Sequence, residues 1–182
     1  MATDSVILGS STGAFNQPTR LVEFTVTSNP FHENATFEVS AAAVATASLD
    51  LGPGVGAHFR LEYTSAFPAN LGGFRGLQLD VLFVDRPTTF EATMTDWSGT
   101  SSSISLEHPG AQFTRGSIEM PLSGFQGGQV NLAEIKSFEL SVAPDSAGDL
   151  ALQGFSIVQA VPEPGTVSLL LLSSFVVLIR RR

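Results

Sequence analysis

"AHFRLEYTS", residues 57–65, is the stretch whose reading decides the fold. Phe59, Leu61 and Tyr63 fall on one side of an extended chain, and Arg60 and Glu62 fall on the other. Side chains alternate faces along a strand, so the stretch sorts cleanly into an apolar side and a polar side. A helix would scatter the same residues round its axis. One such strand needs partners, and the same alternation recurs on both flanks. Upstream, "LVEFTVT" at 21–27 aligns Val22, Phe24 and Val26, and "ATFEVSA" at 35–41 aligns Phe37 and Val39. Downstream, "GLQLDVLFVD" at 76–85 offers Leu77, Leu79, Val81 and Phe83, and "TTFEATMTD" at 88–96 offers Phe90, Ala92 and Met94. Ile104 with Leu106, Ile118 with Met120, and Phe138, Leu140 and Val142 continue the series, and "DLALQGFSIV" at 149–158 closes it.

Turn signals separate these runs: "LGPGVG" at 51–56, "DRP" at 85–87, "DWSGTSS" at 96–102, "HPG" at 108–110 and "PDSAGD" at 144–149. The alanine-rich "SAAAVATASLDLG" at 40–52 favours helix by composition, but its β-branched and turn residues predict a strand or bulged connection. Short strands between regular turns predict an all-β fold, an antiparallel β-sandwich or barrel. The domain is expected over 21–160, after an N-terminal segment at 1–20 and before a tail at 161–182.

Within the body, "NLGGFRGLQLDV" at 70–81 repeats without gaps as "NLAEIKSFELSV" at 131–142. Each copy predicts a capped turn followed by a buried strand, with Asn70 or Asn131 as the cap and Glu134 in the position of a capping-box acid. Leu71 and Phe74, like Leu132 and Ile135, are expected to cover the core, with Arg75 and Lys136 outward. The pattern, with "LALQGFSI" at 150–157 as a last strand, resembles carbohydrate-binding-module-like, galactose-binding-like jelly rolls. That resemblance implies a fold more than an activity.

Composition narrows the function. The 182-residue chain is 43% hydrophobic and only 14% charged, against about a quarter charged in an average domain. Its net charge is −8, and three of its nine basic residues are the terminal Arg180, Arg181 and Arg182, so the body is more acidic still. An acidic body without a basic patch argues against nucleic acid as a partner. Cysteine is absent, which removes disulfides and thiolate metal sites. His32, His58 and His108 stand far apart and read as loop or surface residues, without metal-ligand spacing. No G-x-S-x-G elbow occurs, since "LSGF" at 122–125 is not one. The expectation is a protein that is not an enzyme, and an exported hydrolase is the reading with least support. Asp145 and Asp149 bracket a turn and are the candidates for a structural Ca2+, although a solvated turn is the simpler reading. No other cofactor is expected. Trp97, in "TDWSGT" at 95–100, is the sole tryptophan and the candidate stacking residue for a sugar, although a packed loop anchor is the more frequent fate of such a ring.

The tail, "VPEPGTVSLLLLSSFVVLIRRR" at 161–182, carries a separate message. Pro162 and Pro164 stiffen Val161-Pro162-Glu163-Pro164 into an extended tetrapeptide. A helix over about 165–180 follows, whose apolar run from Gly165 to Ile179 spans about 22 Å against a hydrocarbon core of roughly 30 Å. Arg180, Arg181 and Arg182 form a positive flank that orients it, leaving the body on the non-cytoplasmic side. This order of parts resembles the PEP-CTERM sorting signal of Gram-negative bacteria. The resemblance implies recognition of Val161, Pro162, Glu163 and Pro164 by an exosortase and anchoring in the inner membrane before processing. It also implies a final place in the cell envelope or extracellular matrix, often among exopolysaccharide. Such proteins begin with a signal peptide, whereas "MATDSVILGSSTGAFNQPTR" at 1–20 has neither a basic n-region nor an apolar h-region. The expectation is therefore that the start is truncated or misassigned. The main functional expectation is a non-enzymatic surface or matrix protein, and the alternative is an exopolysaccharide-binding module on the same sandwich.

Overall fold

The computed structural model describes residues 4–7, 19–40, 46–110 and 115–159. Twelve strands form among them: β1 (Asp4–Ile7), β2 (Thr19–Ser28), β3 (Ala35–Ser40), β4 (Thr46–Leu51), β5 (Gly56–Ala69) and β6 (Phe74–Val84), then β7 (Thr88–Asp96), β8 (Ser101–His108), β9 (Gly116–Pro121), β10 (Gln126–Gly127), β11 (Ile135–Pro144) and β12 (Leu150–Gln159). One sheet has the order β1-β2-β5-β11-β7-β8-β10, and the other β3-β4-β12-β6-β9. Every pairing described is antiparallel. The all-β sandwich expected from the alternation is thus the architecture found.

The alternation works as anticipated in β5, β7 and β11 and in β6 as far as Val81; beyond a register shift there, Val84 is buried in place of the expected Phe83, and Val26 near the end of β2 is exposed. Phe59 and Leu61 of β5, Leu77, Leu79 and Val81 of β6, Phe90, Ala92 and Met94 of β7, and Phe138, Leu140 and Val142 of β11 are all buried between the sheets. A stack of rings bridges the layers: Phe24 and Phe37 lie 5.6 Å apart between centroids, and Phe37 and Phe59 lie 4.6 Å apart. Phe37 belongs to the smaller sheet and its two partners to the larger, so the stack pins one sheet to the other.

The two echo segments lie in opposite sheets, leading into β6 of the smaller and β11 of the larger. Leu77, Leu79 and Val81 match Phe138, Leu140 and Val142, and all six are buried. Their turns touch, since the Leu71 N–H donates to the Leu132 carbonyl at 2.6 Å. The cap differs from expectation. No helix follows either asparagine; each closes an Asx turn, with Asn70 Oδ1 accepting from Gly72 N–H at 2.9 Å and Asn131 Oδ1 from Ala133 N–H at 3.1 Å. Glu134 accepts from the Asn131 side-chain amide at 3.2 Å and not from its backbone N–H, which Asp96 has taken. Leu71 and Ile135 are buried as expected, while Phe74 and Leu132 are half-buried against the core.

Three features were not anticipated. Strands begin before residue 21, because β1 pairs with residues 19–22 of β2. A 3-10 turn at Leu122–Gly124 leads from β9 to the two-residue β10. β5 carries a bulge at residues 65–68, opposite the single residue Lys136 of β11. The alanine-rich stretch enters β4 at Thr46, and residues 41–45 lie outside the described residues, as does the whole tail with its expected helix. Among the described residues no helix is long and apolar enough to cross a membrane.

Candidate functional site

The end of the sandwich where β7 meets β8 gathers the groups best suited to hold a ligand. Asp96, the last residue of β7, is buried yet polar, and its carboxylate organises the turn. Oδ1 accepts from Ser98 N–H at 2.9 Å, Ser98 Oγ at 2.6 Å and Thr100 N–H at 3.0 Å. Oδ2 accepts from Asn131 N–H at 3.0 Å, tying the turn to the second echo segment. These donors hold the Asp96 pKa down at about 2, the Asn131 amide contributing most and Ser98 Oγ next, against an opposing effect of burial.

Trp97 follows directly. Its N–H donates to the Glu134 carbonyl at 3.0 Å, so the backbone carrying the indole is clamped on both sides. The side chain remains 45% exposed, with Lys136 Nζ 5.9 Å from the ring centroid. The sequence candidate is therefore an exposed ring on a rigid turn. At the same end of the sheet, between β7, β8 and β10, lies a cleft of about 430 Å3 that Trp97 does not line. Met94, Phe125 and Leu132 give it apolar walls, and Ser102, Gln126 and Gln129 give it polar ones. Its size and mixed lining fall within the range of small-molecule sites.

Below the turn, the outer face of the larger sheet is made of hydroxyls and carboxylates. Register places Thr64, Ser137, Thr95 and Ser101 in one row across four strands. The next row holds Glu62, Glu139, Thr93 and Ser103. Arg60 is the basic centre of this face, and three carboxylates occupy it: Glu23 at 3.0 Å, Glu62 at 3.1 Å and Glu139 at 2.7 Å. Burial works against the guanidinium's charge, but the bonds and charges of Glu139, Glu23 and Glu62 outweigh it and raise its pKa. The outer face is thus acidic, with its cation committed.

The candidates for Ca2+ lie at the opposite end. Asp149 Oδ1 accepts from Leu51 N–H at 2.9 Å, and its backbone N–H donates to Asp85 Oδ1 at 2.6 Å. Its pKa is raised, first by burial and then by the nearby charges of Asp50 and Asp85, which outweigh the Leu51 bond. The carboxylates acting on Asp149 are thus those of Asp50 and Asp85. Among the described residues no group of three or more histidine or acidic side chains is arranged to hold a metal ion. A shallow depression of about 340 Å3 on the smaller sheet is lined by Asp80, Arg115, Ser117 and Gln153, without an aromatic ring. His32, His58 and His108 are scattered: His32 in the β2–β3 turn, and His58 and His108 on β5 and β8. The sorting residues Val161, Pro162, Glu163 and Pro164, with Arg180, Arg181 and Arg182, lie outside the described residues.

No protein-family model matches this chain, and no curated protein does either. Solved structures do. A family 11 carbohydrate-binding module of the cellulosomal cellulase Lic26A-Cel5E of Clostridium thermocellum superposes with a TM-score of 0.51 at 13% identity, over 90% of this chain and 99% of that one. A family 11 module of the same organism, solved with a β-1,3-1,4-mixed-linked tetrasaccharide, gives 0.50 at 12% identity, over 78% and 91%. The sandwich shares the fold of these modules. At such identity the likeness is one of fold, and it agrees with the jelly-roll resemblance drawn from the echo segments.

The sequence found Trp97 but missed Asp96, its organiser. The signal was present in "DWSG": an aspartate two residues before a serine and three before a glycine is the pattern of an Asx turn. The cleft had no sequence signal, because it joins residues of β7, β8, β10 and the loop before β11.

Proposed function

We infer that this chain is a non-catalytic polysaccharide-binding module, carried to the cell surface by its tail. The observation that carries this reading is Trp97, an exposed indole fixed on a clamped turn, at the same end of the sheet as a cleft with both apolar and hydrogen-bonding walls. A sugar ring presents C–H groups on its faces and hydroxyls at its edges, so it needs that pairing of surfaces. The sandwich fold supports the reading, since such modules use it.

The tail supplies the delivery. Val161-Pro162-Glu163-Pro164, the apolar run and Arg180 to Arg182 support recognition by an exosortase and transient residence in the inner membrane. The module then resides in the cell envelope or matrix, where exopolysaccharide is the available ligand. A structural Ca2+ near Asp149 remains compatible with this role and is not required by it.

Affinity electrophoresis tests binding. The full chain, kept in detergent, is run through gels containing mixed-linkage β-glucan, glycol chitosan or alginate. Retardation by a polymer, lost in Trp97→Ala, is the expected result. Unchanged mobility in all three would overturn the reading. Delivery is tested apart, by mass spectrometry of the mature C-terminus in hosts with and without the exosortase. Processing should require the enzyme and stop in Glu163→Ala; an intact surface-exposed tail in both hosts would refute it.

A further inference from the structure

Phe67 is one of the most exposed large apolar side chains in the described structure, at 60%. It sits on the 65–68 bulge of β5, followed by Pro68, which donates no backbone hydrogen bond. Ser65 and Ala69 on either side are buried, so the bulge lifts Ala66, Phe67 and Pro68 out of the wall while its two feet stay in the core. The residue facing the bulge across the ladder is Lys136 of β11. On the other flank of Lys136 stands Trp97, whose ring it approaches to 5.9 Å.

The strand order then fixes a sequence of groups across the end of the sheet. It runs from Phe67 on β5, past Lys136 on β11 and Trp97 at the end of β7, to the Gln126 and Gln129 cleft beside β8 and β10. Four strand spacings separate β5 from β10, or roughly 19 Å at about 4.8 Å each. A single sugar needs much less. Between the two rings lies Lys136, and the rows below hold the hydroxyls of Thr64, Ser137 and Thr95 and the carboxylates of Glu62 and Glu139. Two separated rings with polar ground between them match a chain of amphiphilic rings better than they match a protein's continuous apolar patch. The charge is one-sided as well: Glu62, Glu134 and Glu139 lie near this line, Arg60 is committed to three carboxylates, and Lys136 leans on Trp97.

We propose that Phe67 and Trp97 form a split aromatic platform on which several consecutive units of a polysaccharide free of acidic groups lie crosswise to the strands, ending in the Gln126–Gln129 cleft. The proposal rests on the polysaccharide-binding reading and adds the extent of the site, its direction and the charge class of its ligand. Lys136 is the group the chain must pass, and it moves off the Trp97 ring as a sugar takes that face.

The test uses the full chain with mixed-linkage β-glucan, chitosan and alginate, each as polymer and as a ladder from disaccharide to hexasaccharide. Binding of β-glucan or chitosan should tighten with length, and alginate should not bind. Phe67→Ala should weaken hexasaccharide binding roughly tenfold, the equivalent of about 1.4 kcal/mol, while leaving disaccharide binding at Trp97 unchanged; Phe67→Trp should restore it. Because Phe67 is exposed, the melting temperature of Phe67→Ala should match that of the parent. Hexasaccharide binding indifferent to Phe67→Ala, affinity independent of length, or tightest binding to alginate would each overturn the platform while leaving polysaccharide binding intact. No binding to any of the three, in ladder or polymer form, would overturn both.

Discussion

Asp96 concentrates in one side chain what the Trp97 turn needs. Two oxygens receive four donors, three from the turn and one from the neighbouring loop. Its folded pKa of about 2 lies below the ordinary value near 3.9, so the unfolded chain binds the proton more readily. The stabilisation is therefore full above about pH 4 and is lost as pH falls through about 2. An asparagine keeps one acceptor oxygen but turns an N–H2 toward a donor. Asp96→Asn should melt below the parent at pH 7, and the two curves should converge near pH 2. Trp97 fluorescence should report looser packing in the variant at pH 7. Equal melting temperatures at pH 7 would mean that the carboxylate does not hold the turn. The residue was legible as part of a turn from "DWSG". Its bond to Asn131, 35 positions away, was not, because a long-range donor leaves no mark in a local pattern.

Elements show where local rules were enough and where packing intervened. Alternation placed the central strands because each is half of a two-layer core, so its inward side must be apolar. The bulge in β5 departs from that rule, and Pro68 is its one local sign. Turns carry a further constraint in Gly110, with φ 63°, which packs on the backbone of Arg86 in the β6–β7 connection. An alanine there must adopt a left-handed conformation, costing about 1–2 kcal/mol, and its Cβ collides with that backbone. Gly99 has φ 87° but open space around its Cα. Urea unfolding should show Gly99→Ala losing about 1–2 kcal/mol from handedness alone and Gly110→Ala losing clearly more. Equal losses would remove the collision as a cause.

At the scale of the molecule, the two sheets share one core and one ring stack. Phe59 sits at the end of that stack, fully buried, with Phe37 of the opposite sheet 4.6 Å away. Phe59→Ala should cost about 3–5 kcal/mol, from lost transfer energy and the cavity left behind. Because the ring joins both layers, far-UV and near-UV transitions should shift together; separate transitions would show sheets that unfold independently. By itself the sequence determined the central strands, most of their inward faces, the acidic balance and the tryptophan's place in a turn. It could do so because alternation, charge and turn chemistry are local or additive properties. Only the tertiary structure decided which strands are neighbours, and that order brings Phe67, Lys136, Trp97 and the Gln126 cleft to one edge. Residues from 67 to 136 meet there through pairings made after the chain has doubled back on itself, and no spacing along the chain encodes that meeting.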